Sequence, residues 1–140
     1  MLFKETKQYQ SKKSIQKRDR IMQDIEDRFL WQSKINYIKG ITPSNPLDYE
    51  KEDYVQMVEI GKEYFLRGKS LEFCYFFRES QYFIPLWAAH ILLEYGQPDN
   101  EMKKDCIEII KAYCDFPLNE RISKEENDWI ENNLKYFSQY

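Results

Sequence analysis

Apolar residues recur along this chain at steps of three, four and seven. Ile15, Met22, Ile25 and Phe29 form one such stripe. Met102, Cys106, Ile109, Ile110 and Tyr113 form a second, and Trp129, Ile130, Leu134 and Phe137 a third. These steps put side chains on one face of an α-helix. No stretch alternates apolar and polar positions between hairpin turns, so strands are not expected. The glycines and prolines fall between the stripes, in "NYIKGITPSNP" (36–46), "RGKS" (67–70), "YGQPDN" (95–100) and "DFPLNE" (115–120). The pattern predicts an all-α single domain over residues 1–140, of about five or six helices. They lie near 12–38, 46–67, 70–80, 82–95, 100–114 and 123–137, with residues 1–11 frayed. Paired short helices of this kind are compatible with HEAT-like stacking.

End signals refine the limits. Asn45 before Pro46 reads as an N-cap followed by proline in the first turn. "SKEE" (123–126) reads as a capping box, Ser123 accepting from a backbone N–H and Glu126 reaching back. Gly40, Gly68 and Gly96 each follow an apolar run and suit left-handed C-terminal positions.

The least polar stretch is "FIPLWAAHILLEYG" (83–96), which contains the chain's one histidine. Phe83, Leu86, Trp87 and Leu93 share the side of His90, and Ile84, Ala88, Ile91, Leu92 and Tyr95 lie opposite. A helix apolar all round is a central one. His90 and Glu94, at i and i+4, could form a metal pair or an acid–base dyad. The reading preferred here is a buried imidazole bonded to Glu94 or to a backbone carbonyl, because a lone histidine lacks convergent catalytic partners.

Composition narrows the function. A 140-residue chain with 42% hydrophobic and 32% charged residues can bury a core without staples. The three cysteines Cys74, Cys106 and Cys114 have neither disulfide nor zinc spacing and sit on apolar stripes, as inert thiols do. Trp87 occupies the position three before His90, where a di-iron motif needs glutamate. There is no glycine-rich phosphate loop, nucleophile elbow or dinucleotide fingerprint. The expectation is a non-enzymatic protein without cofactor or metal. No apolar run has signal-peptide or membrane-spanning length, so the expected location is the cytoplasm, without membrane contact.

Charge is unevenly spread. Residues 1–20 hold seven Lys/Arg against Glu5 and Asp19, a net +5, which leaves −8 for the rest of a chain whose total is −3. The basic arm could contact phosphates, but it lacks the regular aromatics of single-strand binders, and the body behind it is acidic. It reads better as a solvated helix end, which leaves a nucleic-acid-binding regulator acting through the arm as the alternative function and nucleic acid as the less expected partner.

"LDYEKEDY" (47–54) places Asp48, Glu50, Glu52 and Asp53 beside Tyr49 and Tyr54. Two readings stand: acidic residues favoured at a helix start by its dipole, or a surface that meets a basic partner through tyrosine anchors and charge steering. Glu72, Glu79 and Tyr82, in "SLEFCYFFRESQY" (70–82), are further candidates. The last helix adds Glu125, Glu126, Asp128 and Glu131.

"FIPLWAAHILLEYGQPDNEMKKDCIEIIKAYCDFPLNERISKEENDWI" (83–130) resembles small helical immunity proteins of bacterial toxin systems, including contact-dependent inhibition. The shared feature is an aromatic-rich helix ending in Glu-Tyr-Gly, a capped turn, "CIEIIKAY" and a charged final helix. The resemblance covers the C-terminal third and carries over no functional residue. It implies tight binding to one cognate toxin, often a nuclease, whose active-site surface would be basic; the chain itself is expected to be a monomer or weak dimer. An acidic body suits such a partner; the basic arm departs from the pattern.

Overall fold

In a computed structural model, described for the backbone of residues 2–137 and the side chains of residues 20–137, the chain is all-helical and has no strand among the described residues. The helices are α1 (Leu2–Lys39), α2 (Glu52–Leu66), α3 (Ser70–Phe73), α4 (Ile84–Tyr95), α5 (Asn100–Cys114) and α6 (Glu120–Asn132). Short 3-10 helices follow α1, α3 and α6, at Pro46–Asp48, Cys74–Arg78 and Leu134–Tyr136. The fraying expected for residues 1–11, and the charges of the basic arm before Arg20, fall where side chains lie outside the described residues.

α1 and α2 form an antiparallel pair. The cross-links give its direction: Arg28 forks onto Glu63 at 3.1 and 2.9 Å, Ser33 meets the Met57 sulfur at 3.8 Å, and Lys39 reaches Asp53 at 2.6 Å. Numbers rise along one helix as they fall along the other. Gly40 (φ +72°) ends α1 in the left-handed conformation that glycine adopts without a Cβ penalty. The aromatic segment 70–78 plugs the far end of the pair. Phe76 stacks on Phe29 at 4.3 Å, and Phe73 meets Phe29 edge-on at 5.3 Å.

α4 is the central helix, and every residue from Ile84 to Leu93 is buried. α2 crosses it closely at Gly61, where a Cβ would stand 2.6 Å from Ile91 Cγ2, so no larger residue fits without movement. α5 packs between α4 and α6 through Cys106, Ile107 and Ile110. α6 then runs parallel to α4: Glu126 pairs with His90, and Trp129 donates to Glu94.

Several predicted limits shift for local reasons. The helix expected over 46–67 is split. Asn45 caps the 3-10 turn by accepting from Leu47 N, after which Asp48 turns inward and α2 starts only at Glu52. α4 begins at Ile84 because Tyr82 (φ +54°) and Phe83 (φ +57°) are both left-handed. Each costs roughly 1–2 kcal/mol for an L-residue with a Cβ. Gly96 is not left-handed (φ −97°); Gln97 takes the positive φ instead. The "SKEE" capping box does not form. α6 starts at Glu120 under an Asn119 cap, and Ser123 donates to the Cys114 carbonyl from inside the helix.

Candidate partner-binding site

His90 is 2% exposed and Glu126 fully buried. His90 Nε2 lies 2.5 Å from Glu126 Oε1 and 2.9 Å from Ser44 Oγ. A carboxylate only accepts, so Nε2 carries the proton, and the serine oxygen shares it. Burial by itself would lower the imidazole's pKa, but the adjacent Glu126 carboxylate outweighs it and the net shift is upward. Nδ1 and Glu126 Oε2 are buried without a hydrogen-bond partner among the described residues. The Trp129 ring closes the site edge-on, 4.4 Å from the imidazole centroid.

Ser, His and Glu together invite comparison with a nucleophilic relay, which needs serine and acid on opposite ring nitrogens. Here both stand on Nε2, whose proton faces the carboxylate, so the ring has no lone pair there to take the serine proton. Ser44 is itself 3% exposed. The trio is a clamp joining the 41–45 loop, α4 and α6. The buried histidine was expected, but its partner is Glu126, not Glu94 or a backbone carbonyl. The three thiols are raised by burial, Cys74 and Cys114 to about 11. No cluster of three or more His, Cys, Asp or Glu among the described residues could hold a metal.

Above the clamp lies a cleft of about 660 Å³ between the loop before α2 and the outer face of α6. Tyr49 and Asn45 form one wall; Glu125, Asp128, Glu131 and Trp129 form the other. Glu125 accepts from Thr42 Oγ1 at 2.6 Å and from Arg121 Nε at 3.1 Å, and Arg121 also reaches the Gly40 carbonyl. Asp128 and Glu131 are exposed and form no ion pair among the described residues, opposed on this wall by exposed Lys124. Tyr49 registers the local potential: its hydroxyl is pushed up to about 12, first by burial and then by Glu94, Glu126 and Glu125.

The structure divides the sequence candidates. Asp48 is buried, accepting from Thr42 N at 3.1 Å and from Lys51 at 2.7 Å. Tyr54 is buried as well; its hydroxyl donates to the Pro43 carbonyl and its ring meets Trp87 at 5.2 Å. Both belong to the fold, not to a contact surface. Asp53 is held by Lys39 and Gln32, and its carboxyl lies below the usual range first because of the Lys39 hydrogen bond. Tyr49, Glu50 and Glu52 remain exposed. Glu72 and Glu79 are exposed on a different face, beside Tyr75 and Phe76, and Tyr82 lines a separate aromatic cleft. Sequence reasoning noted the acidity of the last helix without joining it to Tyr49, because only the fold brings positions about eighty residues apart together. Ser44 and Thr42 carried no signal beyond a loop composition.

The chain matches no protein-family model, and comparison with curated proteins and with solved structures gives no match either. No described helix is long and apolar enough to cross a membrane.

Proposed function

We propose that this chain is a non-enzymatic immunity protein, which neutralises a toxin by covering a basic active-site surface with the cleft between Tyr49 and α6. The observation that carries the reading is the meeting of Tyr49 with Asp128 and Glu131 over one cleft. Two exposed carboxylates that form no ion pair among the described residues supply steering for a cationic surface, and a half-exposed tyrosine supplies an anchor of low conformational cost. Glu50 and Glu52, next to Tyr49 in the chain and exposed, extend the negative rim. A nuclease is the favoured target, since its cleft must be basic to hold phosphate. The resemblance of residues 83–130 to immunity proteins supports the same reading.

The test is co-expression with a toxin domain from the neighbouring reading frame, whose presence there the proposal predicts. Wild-type protein should restore growth, and the Asp128→Lys/Glu131→Lys variant should not. Unaltered killing in the presence of folded wild-type protein would reject the proposal.

A further inference from the structure

A second cleft, of about 420 Å³, opens where the C-terminal end of α1 meets the turn before α4 and the α5–α6 turn. Its walls are aromatic: Tyr37, Tyr82, Phe83, Tyr113 and Phe116, with exposed Leu118 at the mouth. The rings form a continuous chain. Tyr37 contacts Tyr82 and Phe83, each at 5.5 Å, Phe83 reaches Tyr113 at 6.2 Å, and Tyr113 reaches Phe116 at 5.1 Å. Tyr37 is 51% exposed, so the chain ends in solvent rather than in the core.

Among the described residues no charged side chain lines this cleft, but exposed acids flank its lining residues in the chain. Segments 79–83 and 113–120 carry Glu79, Asp115 and Glu120, all exposed, and neither lysine nor arginine. Nearby cations are engaged elsewhere. Lys34 lies over Trp31, Arg78 over Tyr75, Lys39 on Asp53, and Arg121 on Glu125. Aromatic rings whose chain neighbours include exposed carboxylates suit a cation with an apolar stem. Tyrosine hydroxyls and the Gln81 amide add acceptors in the same cleft. A planar guanidinium uses both features, stacking on a ring while its edge donates hydrogen bonds; an ammonium does so less well.

The turn that builds the cleft is also held against its backbone preference. Tyr82 and Phe83 are consecutive left-handed residues with bulky side chains. Strain of this kind persists where the surroundings over-determine it, often at binding sites. The ring contacts to Tyr37 and Tyr113 supply that constraint here.

We infer that this aromatic cleft is a docking site for an arginine side chain presented by a protein partner. It is separate from the Tyr49–α6 cleft and stands whether or not that cleft meets a toxin.

The test uses the full chain, with acetyl-arginine-methylamide as the probe and its neutral isostere, the citrulline analogue, as control. Aromatic proton–carbon shifts of Tyr37, Tyr82 and Tyr113 are followed by NMR. Arginine should give saturable shifts confined to these rings, with binding about five-fold or more tighter than for citrulline, as a cation–π contribution near 1 kcal/mol implies. Tyr37→Leu, checked for unchanged helical content because the Tyr37 ring also braces the Tyr82–Phe83 turn, should weaken binding by a similar factor. Unsaturable shifts, equal binding of citrulline, or unchanged affinity in Tyr37→Leu would overturn the inference. No toxin enters this assay, so its failure is distinguishable from failure of the immunity reading.

Discussion

His90 stabilises the fold in a pH-dependent way. Its pKa in the folded state is above the ordinary 6.5, because Glu126 outweighs the opposing effect of burial. A raised pKa means that the folded state binds the proton more tightly than the unfolded chain. The stabilisation is therefore fully present below about pH 6.5 and is lost as pH rises through the folded-state value. The other titratable groups around the ring are Glu126 from α6 and Glu94 from α4 itself. Glu94 is raised by burial, so it too loses stability as pH rises, but from the carboxylate range upward. Urea denaturation between pH 6 and 9 should show declining stability. In Glu126→Gln the burial effect is left largely unopposed and the slope over that range should reverse. At low pH the same change should cost about 3–5 kcal/mol, the usual result of stranding one member of a buried pair. A flat profile in both proteins would mean that the ring stays neutral throughout. The burial of His90 was legible from its apolar neighbours. Its partner was not, because a contact spanning 36 positions leaves no periodic trace. Glu126 also matched a local capping pattern, which offered a competing use for the same residue.

At the level of elements, existence was more legible than limits. Stripes at helical spacing marked α5 and the core half of α1 well, since propensity, caps and burial agree there. Asp99 caps α5 by accepting from Met102 N at 2.9 Å. The third stripe failed past Asn132: α6 ends there, and Leu134 is 63% exposed. The Tyr82–Phe83 turn was invisible because two non-glycine left-handed residues contradict local preference and are braced by ring contacts across the fold. This yields a contrast between two substitutions. Both Tyr82→Ala and Tyr82→Gly lose the ring, but only glycine relieves the positive φ. Tyr82→Gly should therefore be more stable than Tyr82→Ala by about 1 kcal/mol, read from denaturation midpoints. The reverse order would show that the turn carries little strain.

Across the whole molecule, the predicted all-α architecture is the one observed, and its central helix is the one that the composition of 83–95 indicated. The candidate site was legible only in part. Acidity and tyrosines are visible in any sequence, whereas their exposure depends on which side chains the fold spends internally. Asp48 and Tyr54 went inward, while Asp128 and Glu131 were left outside. The balance of charge on the cleft wall makes its electrostatics adjustable in both directions. Lys124→Glu should speed association with a basic partner, and Asp128→Lys/Glu131→Lys should slow it, with a weaker salt dependence. Because all three positions are exposed, stability should move by less than about 0.5 kcal/mol. Stopped-flow association rates at several salt concentrations check both directions.

The most direct measurement of the proposed immunity role is a titration, with this chain, of the activity of a purified toxin domain whose killing it relieves on co-expression. Activity should fall to completion near one molar equivalent. The Asp128→Lys/Glu131→Lys variant, folded to the same helical content, should need a large excess to inhibit. Full activity at excess wild-type chain, or equal inhibition by the charge-reversed variant, would contradict the proposal.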